Sequence, residues 1–426
     1  MTTGPELLLE PLSTPDVMAA KMLIPFGSAA DPEGQRGVHQ LLASVLSRGC
    51  GPHDHLQLAD LVEGSGAGLR CEAHEDGLLI SLRCASSDAT ELMPLMAWMV
   101  TAPHLVESQI TLERNLSLQA LQRQREDPFH CAFDGWRQVA YGNGGYGHDP
   151  LGLETDVANL DRDALQPLAE GMKRSPAVLA VAGLWPKQLE SELMQWPGFR
   201  DWSSSSGEPF VAPGVTQSIG ETRRETLISQ PLATEQVVIM LGQPTVPHGH
   251  ADDLPLRLLQ CHLGVGMSSL LFRRLREEHG VAYDVGVHLP CRVQQAPFVM
   301  HASSGEERSE LSLRLLMESW QELLSDPLSD ADLDLAKCKY LGQMAHGRQT
   351  SSQRAERRVQ LRGLGLQNDH DDRCRQAVES LTSTDLIRVA QEHLQAPRLS
   401  LCGPSDRLTA LERVWSNLTI QGAESG

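Results

Sequence analysis

Residues 263–285 read LGVGMSSLLFRRLREEHGVAYDV. A turn of small residues opens the stretch. An amphipathic helix follows, with Leu270, Leu271, Phe272 and Leu275 as its apolar stripe. Ser268 or Ser269 supplies a cap, and Gly280 supplies the left-handed stop after His279. The apolar run Val281 to Val287 then reads as a strand. Arg276 falls in the last helical turn and Tyr283 on the strand, so both are expected to point at one spot.

Outward from this stretch, the chain echoes itself. Pro11-Leu-Ser-Thr14 recurs as Pro231-Leu-Ala-Thr234. Each copy leads into a strand-like run, Val17 to Phe26 or Gln236 to Gly242. Each strand leads through a polar loop into an apolar helix, 38–48 or 254–262. A repeat this long is a duplicated domain and not a solenoid unit. In the first half, Leu56–Gly64 reads as a helix, and Leu69–Ala73 with Leu78–Cys84 as a hairpin. Helices follow over Leu92–Thr101, Ile110–Arg125 and Phe129–Tyr141, then a strand over Val178–Gly183. In the second half, Phe298–Ser303 and Leu399–Gly403 read as strands, and Glu307–Leu324 and Asp330–His346 as helices. The expected fold class is α+β: two homologous α/β-sandwich domains, each a mainly antiparallel sheet with helices packed on one face. Residues 1–205 form the first domain and 226–426 the second. The Ser/Gly/Pro-rich stretch around Trp202–Gly214 opens a linker placed at 206–225.

Bulk properties narrow the function classes. At 426 residues the chain exceeds one ordinary core. Its net charge of −19 argues against nucleic acid or an anionic membrane as partner, since both require a basic face. No window approaches an uninterrupted membrane-spanning run, and the first residues lack a secretory or transit pattern. Nine scattered cysteines without a C-x-x-C pair fit free thiols in a reducing compartment, so a cytoplasmic location is expected.

Several segments, in order, resemble the insulinase/pitrilysin metallopeptidase family, in its mitochondrial-processing-peptidase branch. These are GSAADPEGQRGVHQLLASVLSRG (27–49), the segment 113–152, the segment 263–285 and LSDADLDLAKCKYLGQMAHG (328–347). The resemblance covers about residues 12–405. It implies a zinc motif, H-x-x-E-H, on the first long helix, with its Glu as general base and a further Glu ligand downstream. Aligning ASVLSRG with the family helix puts the motif at Gln40–Ser44, so the His positions become Gln40 and Ser44 and the base becomes Ala43. Aligning Phe133 and Tyr141 puts the downstream Glu at Ala120. None of these four side chains suits zinc. His39, one position away, finds no second ligand there and reads as a structural histidine.

The resemblance also implies that Arg276 and Tyr283 hold a peptide substrate, the Tyr hydroxyl aimed at a developing oxyanion and the Arg fork at a carbonyl. The expected function is therefore a catalytically incomplete subunit of a metalloendopeptidase, binding no metal or other cofactor itself. It would donate Arg276 and Tyr283 in trans to a zinc-bearing paralogous partner in a heterodimer. The alternatives are a self-associated structural or peptide-binding scaffold of the same fold, and an active hydrolase built on His39. Other candidates read blandly. His53-Asp54-His55, His248-Gly249-His250 and Asn368–Asp372 read as solvated loops, and Gly264-x-Gly266 as close helix packing.

Overall fold

The computed structural model describes residues 4–13, 15–202 and 226–424, with side chains described up to residue 417. The expected linker at 206–225 lies outside the described residues. The elements that matter, in chain order, begin with strands β1 (Glu6–Pro11) and β2 (Val17–Ile24) and helix α1 (Val38–Leu46). Strands β3 (Gly68–Ala73) and β4 (Leu78–Ala85) follow, then helices α2 (Ala89–Thr101), α3 (Glu107–Gln124), α4 (Pro128–Tyr141) and α5 (Arg162–Arg174), and strand β5 (Val178–Gly183). Next come β6 (Leu227–Pro231), β7 (Gln236–Pro244), α6 (Asp253–Gly264), β8 (Ala282–His288) and β9 (Pro297–Gly305). Helices α7 (Ser309–Ser325), α8 (Asp330–His346), α9 (Ser351–Gly363) and α10 (Ser383–His393) and strand β10 (Arg398–Gly403) complete the set.

The chain divides into two compact units, each assembled from three pieces. The first comprises Met1–Leu121, Asp149–Thr216 and Met344–His370; the second comprises Gln122–His148, Gln217–Gln343 and Asp371–Gly426. Helix α4 therefore belongs to the second unit although it precedes the expected linker, and α9 belongs to the first although it follows it.

The first unit holds a sheet in the order β1-β5-β2-β4-β3, and the second a sheet in the order β6-β10-β7-β9-β8. Among the described residues, only β1/β5 and β6/β10 are parallel; the other pairs of these sheets are antiparallel. The two ladders match residue for residue at their ends: Pro11 pairs with Gly183, and Pro231 with Gly403. The repeated Pro-Leu motif thus marks where each parallel edge strand stops. Proline suits that place because it gives up a ladder donor at the last position of an edge.

The α+β sandwich is as expected, with one addition on the second sheet face. In the first unit, Met18, Met22, Ile80, Leu82 and Leu179 face the main helical layer of α1, α2 and α5. The alternate residues Leu79, Val178, Ala180 and Ala182 are buried too, against Ala355 and Val359 of α9. That is why β5 reads VLAVAG with every residue buried, where a one-sided sheet would alternate. Helix α9 starts with a capping box, Thr350 with Gln353. Its arginines at i, i+4 and i+8 then reach β1: Arg354 and Arg358 hold Glu10, and Arg362 holds Glu6 at 2.8 Å. Burial pushes the Glu10 carboxyl up, but the two guanidiniums outweigh it and hold the group below its usual range.

The second unit repeats the plan with α4 against β6, β7 and β10. Gly135 makes that approach possible. A Cβ there would stand 2.6 Å from Ser400 Oγ and 2.8 Å from Gln230 Nε2. Among the described residues no helix is long and apolar enough to cross a membrane.

Candidate functional site

Helix α1 carries three of the four positions where the family motif is expected. Its start is built by Asp31, whose carboxylate accepts the amides of Gly37 (2.6 Å) and His39 (3.3 Å). The same carboxylate meets His39 Nδ1 at 2.5 Å, and the His39 ring is buried with an edge contact to Phe26. An anion at a helix N-terminus is well placed against the dipole. His39 Nδ1 is thereby engaged at its own helix start, while Nε2 is buried with no hydrogen-bond partner among the described residues.

The motif positions are occupied by structural hydrogen bonds. Gln40 Oε1 accepts the amide of Ala73, the last residue of edge strand β3, at 3.1 Å. Ser44 Oγ donates back to the Gln40 carbonyl at 3.1 Å. Ala43 is fully buried and Ala120 half-buried on α3. Close by, Glu113 of α3 is buried in an ion pair with Arg48, just beyond α1. These residues do not fit a zinc ion: two offer no ligand atom, and the amide oxygen and hydroxyl already serve the backbone. Among the described residues no three His, Cys, Asp or Glu side chains converge here. Gln40→Ala is accordingly expected to cost roughly 1–3 kcal/mol, because it strands the Ala73 amide. A urea-denaturation midpoint measures it.

In the second unit, residues 272–278 form a π-helix, wider than the expected α-helix, and Leu271 and Leu275 are its buried contacts. Such turns are rare and gather at functional positions. Arg276 is exposed, with its guanidinium 5.0 Å from the Phe272 ring centroid. The chain then reverses at Gly280, whose φ of +60° favours glycine. Its carbonyl accepts Arg308 Nη1. Strand β8 begins with a register shift between Ala282 and Asp284 against β9, leaving Tyr283 as the extra residue. A bulge of this kind turns a side chain out of the sheet's alternation, and Tyr283 is 69% exposed although it lies on a strand.

Tyr283 lines an open cavity of about 650 Å³ together with Glu235, Gly280, Gly305, Glu306, Glu307 and Arg308. Three carboxylates and one guanidinium give the cavity an acidic balance. Arg276 is not among its lining residues.

The loop before α6 was expected to be solvated, and the structure corrects that. His248 is buried, with Nδ1 2.7 Å from Asp253 Oδ2. Arg257, one turn into α6, donates from Nε to the same oxygen at 3.0 Å and from Nη2 to Cys291 Sγ at 3.5 Å. Burial pushes the Asp253 carboxyl up, but Arg257 and His248 outweigh it and hold the group far below its usual range. Burial lowers His248, yet Asp253 and Cys291 outweigh it and raise the imidazole. The sequence signal was the His-Gly-His spacing. What it lacked was Cys291, which a different loop supplies. The other two polar runs also resolve locally. Asp54 caps the helix His55–Gly64 in a capping box with Gln57, and Asp371 is buried near the start of the helix His370–Ser380.

Comparison with known proteins gives a consistent picture. Residues 7–150 match the family model described as insulinase (peptidase family M16), and residues 173–340 match the one described as peptidase M16 inactive domain. The chain is 22% identical over 385 residues to an uncharacterized zinc protease of Streptomyces coelicolor, covering 89% of this chain and 83% of the relative. It is 20% identical over 389 residues to the non-peptidase homolog YmxG of Helicobacter pylori, covering 89% and 87%. Among solved structures, the peptidase M16 inactive domain from Pseudomonas fluorescens superposes with a TM-score of 0.82 at 19% identity, over 95% of this chain and 96% of that one. A protease from Helicobacter pylori superposes at 0.83 with 18% identity, over 95% and 98%.

Proposed function

The chain belongs to the insulinase family, peptidase family M16, and from that premise we propose that it is the catalytically incomplete subunit, lacking the catalytic zinc motif, of a two-chain, processing-peptidase-like metalloendopeptidase. It works in the cytoplasm beside a zinc-bearing paralogue and contributes peptide-binding groups, Tyr283 foremost and Arg276 with it. The observation that carries this reading is a contrast within one chain. Gln40, Ala43 and Ser44 are consumed by packing and backbone hydrogen bonds, while Tyr283 is held out of its strand over an open cavity.

The chemistry divides accordingly. A zinc ion held by the partner would supply the activated water. In this chain the Tyr283 hydroxyl is a donor suited to an oxyanion, and the Arg276 fork is suited to a substrate carbonyl. Neither group makes a nucleophile, so the chain alone is expected to be inactive. The name of the Helicobacter pylori relative, a non-peptidase homolog, favours a scaffold role as the second reading.

Peptide cleavage by this chain, by the paralogue and by their mixture separates the two. The mixture is expected to cleave, and Tyr283→Phe to lower its kcat/KM by about a hundredfold, the usual effect of removing one oxyanion donor. Arg276→Ala is expected to raise KM more than it lowers kcat. Unchanged cleavage with both variants sinks the proposed roles. A mixture no more active than the paralogue alone favours the scaffold.

A further inference from the structure

The polar loop ahead of α6 has a second cluster, on the side away from Arg257. Asp252 is buried, and its Oδ2 lies 3.0 Å from Nε2 of His393, the last residue of α10. The neighbouring Glu392 brings Oε1 to 4.0 Å from the same nitrogen. Ligand atoms of Asp252, Glu392 and His393 all lie within 4.8 Å of one another. Tetrahedral zinc with ligands near 2.1 Å sets its ligand atoms about 3.4 Å apart, which these distances bracket.

Two features go beyond an ordinary ion pair. First, the donor set is mixed, one imidazole with two carboxylates, which suits zinc and its neighbours better than calcium or magnesium. Second, the oxygens are divided. Arg388 donates to Asp252 Oδ1 at 2.7 Å and to Glu392 Oε2 at 3.0 Å, so it grips the outer oxygen of each carboxylate. The inner oxygens, Oδ2 and Oε1, are left on the His393 side. Carboxylates that ligate a metal are themselves hydrogen-bonded from behind, and Arg388 stands where it would fill that role. His250 closes one flank, its Nδ1 accepting the Asp252 amide at 3.1 Å and its ring 6.2 Å from that of His393.

We propose that Asp252, Glu392 and His393 form a binding site for one divalent transition-metal ion of the zinc class, with Arg388 positioning the two carboxylates. The site lies where α6 begins and α10 ends, so the ion would tie these two elements of the second unit together. It shares no residue with Arg276 or Tyr283, and it stands or falls independently of the peptidase reading.

The test uses the full chain, without any partner, and cobalt(II) or zinc(II) chloride alone. Calorimetry is expected to show one saturable equivalent. The cobalt form is expected to show visible bands without the near-ultraviolet charge-transfer band of thiolate ligands, which excludes the cysteines. Glu392→Gln lies on an exposed residue and His393→Gln keeps a donor to Asp252, so both variants are expected to fold. Each is expected to weaken binding at least about tenfold. Zinc is expected to raise the melting temperature of the wild type and not of the variants. Absence of saturable binding overturns the proposal and leaves the cluster a plain ion pair. Binding that both variants leave unchanged overturns it equally.

Discussion

Arg257→Ala is expected to cost the second unit about 3–5 kcal/mol, the range found when one partner of a buried charge pair is removed. The side chain is 12% exposed and bridges Asp253 to Cys291. Its loss leaves the Asp253 carboxylate buried with His248 as its one charged neighbour in the cluster and the Gly249 amide at 3.4 Å. The same cluster sets a pH profile whose two limbs have opposite sign. Asp253 has a depressed folded-state value, so its contribution is present above the unfolded carboxylate range, near pH 4, and is lost as the pH falls through the folded value. His248 has a raised folded-state value, so its contribution is complete below the unfolded imidazole value, near 6.5, and is lost as the pH rises through the folded one. Stability from this cluster is therefore greatest between about pH 4 and 6.5. Urea midpoints across pH measure it. Asp253→Asn is expected to flatten the acid limb, and His248→Gln the limb above neutrality. A midpoint for Arg257→Ala within 0.5 kcal/mol of wild type, on the order of an exposed substitution, would show that the cluster is not a stability element.

Trp136→Ala is expected to cost a similar amount, about 3–5 kcal/mol, as the truncation of a fully buried aromatic. Trp136 is 0% exposed on α4, nearly parallel to the Phe133 ring and edge-on to Tyr141 at 5.9 Å. Trp136→Phe keeps most of that volume and is expected to lose much less. The location of the damage is the sharper readout. Although Trp136 lies in the first half of the sequence, hydrogen exchange is expected to accelerate in β6, β7 and β10. Strand β5, about forty residues downstream and just before the expected linker, belongs to the other unit and is expected to keep its protection. Faster exchange in β5 with none in β10 would place the helix wrongly.

Much of this architecture was legible in the sequence. The apolar runs at 17–26, 78–84, 178–183, 236–242 and 399–403 are strands because all five are buried, and burial writes itself as hydrophobicity. The edge strands β1 and β6 were missed. They are short and half-buried, with Glu6, Glu10 and Gln230 among their residues, so their pattern is weak. Helix α9 was missed for a related reason. SSQRAERRVQLRG shows mostly charge, and the four residues it buries, Ala355, Val359, Leu361 and Gly363, make a thin stripe. Helix α4 was read but not its destination, since periodicity reports that a face is buried and not against what. The π-turn at 272–278 escaped because Leu271 and Leu275, four apart, suit an α-helix equally well.

The site was legible to the same depth. Gln40, Ala43 and Ser44 could be identified as unsuited to zinc from residue type alone. That Gln40 closes α1 onto β3 is set by packing between distant segments, and so is the bulge that exposes Tyr283. The two clusters around Asp252 and Asp253 draw on Cys291 in one case and on Arg388, Glu392 and His393 in the other. Those partners lie 38 to 141 positions away along the chain, beyond the reach of any local motif.

The placement of α4 and α9 has a consequence for how the protein is made. A ribosome that has released the first two hundred residues has produced a sheet whose second face is bare, and a helix whose docking surface is not yet synthesised. The first unit waits for residues 351–363, and α4 waits for strand 398–403. The first unit is not complete until residue 363 is out, nor the second until residue 403. A gene split at the midpoint would yield two fragments, each short of one helix and burdened with another. Such fragments have a reason to find each other, and little reason to be stable apart.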